Sequence, residues 1–141
     1  MQGTVANQIL IVDDSVVALN ILRSLFKQQA EFTICGEARS GREAVEKIQE
    51  CDPDLVIMDF SMPGMNGSET ATKIRQNHPN LPIIMLTDFK GDFLEQQASK
   101  SGVTLVLSKA DQIDKIFDFA RILLRAAPAL VQFERVAVLA W

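Results

Sequence analysis

Five polar residues of this 141-residue chain carry the types and spacing for phosphoryl chemistry. Asp13 and Asp14 follow the apolar run Ile9–Val12, and Asp59 closes the run Leu55–Met58. Thr87 follows Leu81-Pro82-Ile83-Ile84-Met85-Leu86, and Lys109 follows Leu105-Val106-Leu107-Ser108. Brought to one spot, three carboxylates would repel one another and raise their own pKa values unless a cation offset them. Oxygen-only ligands with room for water suit Mg²⁺, which keeps part of its hydration shell for phosphate oxygens. An ammonium and a hydroxyl beside a metal-held carboxylate form a cradle for a phosphoryl group, and they would neutralise developing charge while an Asp oxygen attacks phosphorus in line. Taken singly, each residue has an ordinary reading: Lys109 as a surface charge, Thr87 as a strand end, Asp13-Asp14 as helix-start chemistry favoured by the dipole.

What must position these groups is a set of strand ends. The apolar runs lack polar alternation, as strands buried on both faces of a parallel sheet do. Strands are expected at Ile9–Val12, Phe32–Ala38, Leu55–Met58, Leu81–Leu86 and Val103–Leu107. Between them lie helical patterns: Ala18, Ile21, Leu22 and Leu25 after Ser15 as N-cap; Ala44, Val45 and Ile48 after Ser40-Gly41; Gly67–Gln76; and Gly91–Ser101 closed by Gly102. A last helix is expected from near Asp111, with Ile113, Ile116, Phe117, Ala120, Leu123 and Leu124 on one stripe. Strands alternating with helices predict an α/β domain with a five-stranded parallel sheet, flavodoxin-like (βα)5, in the order 2-1-3-4-5. That order sets the first strand beside the third, so Asp13, Asp14 and Asp59 converge at the carboxyl edge, where open α/β sheets bind ligands.

Composition narrows the function classes. The net charge of −4, without a Lys/Arg block, argues against sequence-independent nucleic-acid binding. No apolar run reaches membrane-spanning length and no signal segment opens the chain, so a cytoplasmic protein without a membrane partner is expected. Cys35 and Cys51 do not make a disulfide framework and are expected as buried reduced thiols. Residues 1–7 read as a disordered leader, 8–127 as the folded domain and 128–141 as an apolar extension.

The pair Asp13-Asp14, the block Asp59-Phe60-Ser61-Met62-Pro63-Gly64-Met65-Asn66-Gly67, Thr87 and Lys109 together resemble a response-regulator receiver domain of two-component signalling, over about Gln8 to Ala127. The family's D-x-x-M-P-x-M-x-G block is complete here. The resemblance implies that Asp59 accepts a phosphoryl group from a phosphohistidine on a sensor histidine kinase or histidine phosphotransfer protein. It implies that Asp13, Asp14, Asp59 and the backbone carbonyl of Ser61 hold Mg²⁺, that Thr87 hydrogen-bonds the phosphoryl group and reports it, and that Lys109 pairs with it. Phosphorylation would then change the Thr87/Lys109 side to control an unknown downstream protein. The protein would catalyse its own phosphorylation and dephosphorylation and would not be a metabolic enzyme. His78, beside Pro79 after a helix, reads as a surface residue and not as the donor.

Three positions depart from the family pattern. Asp88 follows the switch Thr where a small residue is usual; it would shorten the acyl phosphate's life by positioning a water, slow phosphoryl entry by repulsion, or face solvent. Val106 stands where the family's switch aromatic usually lies, which predicts an atypical output face. Ala110 follows Lys109 in place of a common proline. The extension Pro128–Trp141 is too apolar to stay freely solvated, and is expected as an extra helix or strand that packs on its own domain or makes a homodimer contact with Phe119 and Ile122, with the start of a linker to a further domain as the alternative. A stand-alone receiver fits best. The alternative is a receiver-like interaction module that works without phosphorylation. An Asp-nucleophile phosphatase is disfavoured because Asp13-Asp14-Ser15 lacks the usual one-residue gap between its aspartates, and a flavin binder because the turn after Val12 lacks Ser, Thr and Gly.

Overall fold

A computed structural model describes residues 5–88 and 90–133. The five apolar runs become strands β1 (Asn7–Val12), β2 (Phe32–Ala38), β3 (Leu55–Asp59), β4 (Ile83–Thr87) and β5 (Leu105–Ser108). All pair in parallel in the order β2-β1-β3-β4-β5, the order that the alternation of strands and helices predicts. Helices α1 (Val16–Lys27), α2 (Gly41–Cys51), α3 (Gly67–Asn77) and α4 (Asp92–Ser101) fill the crossovers. After β5 come a single turn α5 (Lys109–Gln112), a 3₁₀ turn Ile113–Lys115 and α6 (Ile116–Phe133).

Side chains of a strand alternate between faces, and the two faces make two cores. Ile9, Ile11, Leu55, Ile57, Ile84, Leu86, Leu105 and Leu107 pack with Leu19, Leu22 and Phe26 of α1 and with Ile116, Phe119, Ala120 and Leu123 of α6. Leu10, Val12, Val56, Met58, Ile83, Met85 and Val106 pack with residues of α2, α3 and α4 on the other side. Every residue of β3 and β4 is buried. At about 1.5–3 kcal/mol per large apolar side chain removed from water, this double burial holds the carboxyl ends of β3 and β4 in fixed register.

Local chemistry sets the helix ends. Ser15 Oγ accepts the Ala18 N–H, Ser40 Oγ accepts the Glu43 N–H, and Asn66 with Glu69 forms a reciprocal capping box at α3. Gly102 ends α4 at φ +86°, as the reading of Gly102 as its terminator expects.

Several details differ from expectation. Asn7 already belongs to β1, its N–H donating to Glu31 O at 2.9 Å, so strand pairing reaches into the expected leader; residues 1–4 lie outside the described residues. The buried face of α1 is Leu19, Leu22 and Phe26, while Ile21 is exposed. Phe119, expected at a dimer contact, is 2% exposed and belongs to the core. The last helix is not continuous from Asp111, because the 3₁₀ turn intervenes; α6 then runs through Pro128 to Phe133. Residues 134–141 of the expected extension lie outside the described residues.

Cys35 and Cys51 form a disulfide, where free thiols are expected. The reason is a bulge: Ile9 pairs with Ile34 and Leu10 with Gly36, which leaves Cys35 as the extra residue of β2. A bulge re-aims a side chain, here toward the α2 face that Gly36 already occupies. A Cβ on Gly36 would lie 3.1 Å from Cys51 Sγ, so the glycine gives the bridge its room.

Candidate phosphoryl-transfer site

The carboxyl edge of the sheet gathers the five residues singled out by their types. Asp13 directly follows β1 and is 2% exposed. Its backbone N–H donates to Ala38 O at 3.0 Å, and its Oδ1 accepts the Ser15 N–H at 2.9 Å. These bonds fix the carboxylate while β1 passes into α1. Asp14 beside it is half-buried, and Arg39 donates to its carbonyl. Asp59 ends β3, next to β1 in the sheet, and is 6% exposed. One carboxylate oxygen from each of Asp13, Asp14 and Asp59 lies within 4.8 Å of the others. Hard oxygen donors this close, without nitrogen or sulfur among them, fit a hard divalent cation.

Lys109 closes the cluster from the β5 side. Its Nζ lies 2.9 Å from Asp59 Oδ1 and 3.2 Å from Asp13 Oδ2. Burial raises the Asp59 pKa; the hydrogen bond from Lys109 opposes that rise and the neighbouring charges of Asp13 and Asp14 add to it. For Lys109, burial works to lower the pKa but is outweighed by the hydrogen bond and charge of Asp59, with Asp13 acting the same way, so its pKa is raised and it stays an ammonium. Thr87, 7% exposed, ends β4 beside Ser108 of β5, one residue before Lys109.

The connection after Asp59 is shaped by backbone needs. Met62 is 8% exposed and anchors the loop in the α2–α4 core. Gly64 turns the chain at φ +81°. Gly67 N–H donates to Phe60 O at 2.8 Å, and a Cβ on Gly67 would stand 2.8 Å from Asp59 O and 2.9 Å from Phe60 Cα. The Pro63-Gly64-Met65-Asn66-Gly67 run is therefore the fold's way of returning to α3 while keeping Asp59 at the edge. Ser61 is exposed within this loop, two residues from Asp59.

Asp88 is exposed just past β4, and His78 lies at the end of α3, at the opposite edge of the sheet from these acids. Val106 is 3% exposed and shares a core with Leu94 and Ala98 of α4. Gln112 escaped the sequence reading. Its Oε1 accepts the Ser108 N–H at 3.0 Å and the Lys90 ammonium at 3.2 Å. The signal for it was a polar residue three positions after Lys109, too common a pattern to stand out.

An open parallel sheet with buried acids and a lysine at its carboxyl edge is an α/β domain whose ligand crevice lies at that edge. Residues 9–121 match the response regulator receiver domain family, and the chain belongs to it. It is 38% identical to the chemotaxis protein CheY of Halobacterium salinarum over 113 residues, which cover 80% of this chain and 92% of that protein. It is 36% identical over 111 residues to the transcriptional regulatory protein YdfI of Bacillus subtilis, covering 79% of this chain and 52% of YdfI. Of a protein-glutamate methylesterase/protein-glutamine glutaminase of Pyrococcus horikoshii, 31% identical, it covers 35%, so the chain spans half or less of several curated relatives it matches. Among solved structures, the response regulator domain of Thermotoga maritima CheB superposes with a TM-score of 0.75 at 27% identity, covering 88% of this chain and 97% of that one. A LuxR-family two-component response regulator from Aurantimonas sp. SI85-9A1 superposes with a TM-score of 0.82 at 24% identity, covering 91% and 94%, and shares the fold. Membership makes the chain a receiver domain of two-component signalling, a class that works with histidine kinases and downstream effectors. No helix among the described residues is long and apolar enough to cross a membrane.

Proposed function

We propose that Asp59 takes a phosphoryl group from a phosphohistidine of a sensor kinase or phosphotransfer protein. The observation that carries this reading is the Lys109 ammonium held between Asp13 and Asp59. An Asp59 carboxylate oxygen forms the new bond to phosphorus as the phosphorus–nitrogen bond breaks. The electron pair leaves on the imidazole, which takes up a proton. Lys109 balances charge on the phosphoryl oxygens, and Thr87 supplies a hydroxyl on the β4 side. Asp13, Asp14 and Asp59, with the Ser61 carbonyl, would hold Mg²⁺, which supplies further neutralisation of phosphoryl charge when bound. Hydrolysis by water returns the carboxylate and releases phosphate.

The donor's approach is supported by an apolar rim. A cavity of about 230 Å³ lined by Ala18, Ile21, Leu22, Leu86 and Ile113 opens beside Asp13 and Lys109. Val16, Val17 and Ile21 stand exposed on α1 next to it. A partner's helix resting there would present its phosphohistidine to Asp59, in the cytoplasm where such kinases act. Residues 8–127 form the receiver in this proposal, and Ile122, the exposed apolar residue of α6 among those whose side chains are described, marks the surface on which two copies would pair. Sedimentation of the phosphorylated and unphosphorylated protein tests the pairing.

Intact mass after incubation with acetyl phosphate tests the central claim. One phosphoryl group, gained only with Mg²⁺ and absent from Asp59→Asn, is the expected result. No adduct even with rapid acid quenching would instead favour an interaction module that works without phosphate.

A further inference from the structure

The turn that carries Lys109 has little helix of its own to hold it. The turn that begins at Lys109 contains Ala110 and Asp111, and α5 is only four residues long. One helical turn is marginal by itself because nucleation fixes several dihedrals for one hydrogen bond.

Gln112 braces that turn. Its side chain is 8% exposed, and its Oε1 reaches back four residues to the Ser108 N–H, closing the turn on which Lys109 sits. The same oxygen accepts the ammonium of Lys90, from the connection that leads out of β4 past Thr87. Two donors converge on one atom, so only an acceptor fits there, and asparagine would be a methylene too short. The bridge therefore spans the β4 and β5 ends, the two strand ends that carry Thr87 and Lys109.

We infer that Gln112 is a positioning residue that fixes Lys109 for phosphoryl transfer and couples its turn to the Thr87 connection through Lys90. The inference rests on the reading of Asp59 as phospho-acceptor and adds the residue that orients its lysine. Lys109 Nζ must stay within hydrogen-bond reach of Asp59 Oδ1, and a displaced turn would carry it away. Misplacement of a catalytic group by about 1 Å costs on the order of 10²-fold in rate, and partial loosening of one turn should cost less.

The test uses the full chain with four substitutions: Gln112→Ala, Gln112→Glu, Lys90→Met, and Gln112→Ala with Lys90→Met. Phosphorylation by acetyl phosphate with Mg²⁺ is followed by intact mass, and amide hydrogen exchange at Ser108 by NMR. Gln112→Ala should slow phosphorylation roughly 10-fold and speed Ser108 exchange while the far-UV spectrum is unchanged. Gln112→Glu keeps an acceptor of the same reach and should restore both. Lys90→Met should slow phosphorylation less, and adding it to Gln112→Ala should change nothing more, since both act through one bridge. A Gln112→Ala protein that phosphorylates at the wild-type rate overturns the inference, as does failure of Gln112→Glu to rescue or full additivity with Lys90→Met. If the wild type itself takes no phosphoryl group, the functional reading falls and the role in transfer falls with it. Ser108 exchange then still decides whether the bridge holds the turn, since exchange unaffected by Gln112→Ala excludes it.

Discussion

Lys109 Nζ stands 2.9 Å from Asp59 Oδ1, joining a side chain from just past β5 to one at the end of β3 with β4 between them. The same nitrogen reaches Asp13 Oδ2 at 3.2 Å, just past β1. One cation thus lies between two buried carboxylates and offsets their mutual repulsion. Its place can be shared, because a bound divalent cation would relieve the same repulsion from the other side.

Lys109→Met should therefore separate two effects. Without the ammonium the acids repel unopposed, so the metal-free variant should melt below wild type. Mg²⁺ should then raise its midpoint by more than it raises that of wild type. Phosphorylation by acetyl phosphate should fall about 10²-fold, the scale for removing one charge-stabilising donor. Thermal melts with and without Mg²⁺, beside mass-detected phosphorylation, check both halves. Equal Mg²⁺ stabilisation of the two proteins would contradict this account.

Asp59 gives stability a pH dependence of defined sign. Its folded pKa lies above the ordinary value, chiefly through burial and net of the Lys109 hydrogen bond, so the fold favours the protonated form. That contribution is fully present below the unfolded value of about 4 and is lost as pH rises through the folded pKa. Asp59→Asn, neutral at every pH, should be more stable than wild type near pH 7 in the absence of metal. Its advantage should shrink as pH drops toward 4. Urea midpoints across that range measure it, and an advantage that grows on acidification would reverse the assignment.

The Cys35–Cys51 bond closes a loop with a sequence separation of 16. On the chain-entropy view such a loop contributes about 3 kcal/mol, which is roughly 10 °C in midpoint for a domain of this size. Reduction should lower the melting temperature by that amount and leave the fold and phosphorylation intact, because the bridge lies between β2 and the end of α2, away from Asp59. Reducing compartments disfavour such bonds, and the comparison is between the reduced and the oxidised protein. Calorimetry with and without a phosphine reductant, with thiol counting, makes the comparison.

Sequence pattern carried the strand order and the acidic site because both rest on local signals. Asp13, Asp59, Thr87 and Lys109 each close an apolar run, and the alternation of runs with helical stretches limits the sheet to few topologies. The disulfide was not legible. It depends on a one-residue bulge opposite Ile9 and Leu10, and a bulge is a property of strand pairing that neither strand shows alone. The buried face of α1 was read one position off, since Ala18, Ile21, Leu22 and Leu25 keep helical spacing as well as Leu19, Leu22 and Phe26 do. Only the direction of the sheet distinguishes them. Arg75 is a further case: it donates to the carbonyls of Gly102 and His78 from a half-buried site. Burial pulls its pKa down to about 10. An arginine in a polar helix gave no hint that it tied α3 to the end of α4.

The two glycines after Asp59 should respond differently to alanine. Gly64 has open space around its missing Cβ but lies at φ +81°, so Gly64→Ala should cost about 1–2 kcal/mol from the left-handed backbone alone. Gly67 begins α3 as an ordinary helical residue, yet its Cβ would meet Asp59 O at 2.8 Å and Phe60 Cα at 2.9 Å. Those are backbone atoms at the end of β3 and just past it, and they cannot swing aside as a side chain end would. Gly67→Ala should therefore cost about 1–3 kcal/mol as an overpacked contact and shift the Asp59 carboxylate away from Lys109. Phosphorylation by acetyl phosphate should fall with it, whereas Gly64→Ala should phosphorylate nearly as wild type once folded. Urea midpoints and phosphorylation rates on the two variants decide the matter. Equal loss of rate in both would mean that the loop's flexibility, rather than the Gly67 contact with the Asp59 backbone, governs the site.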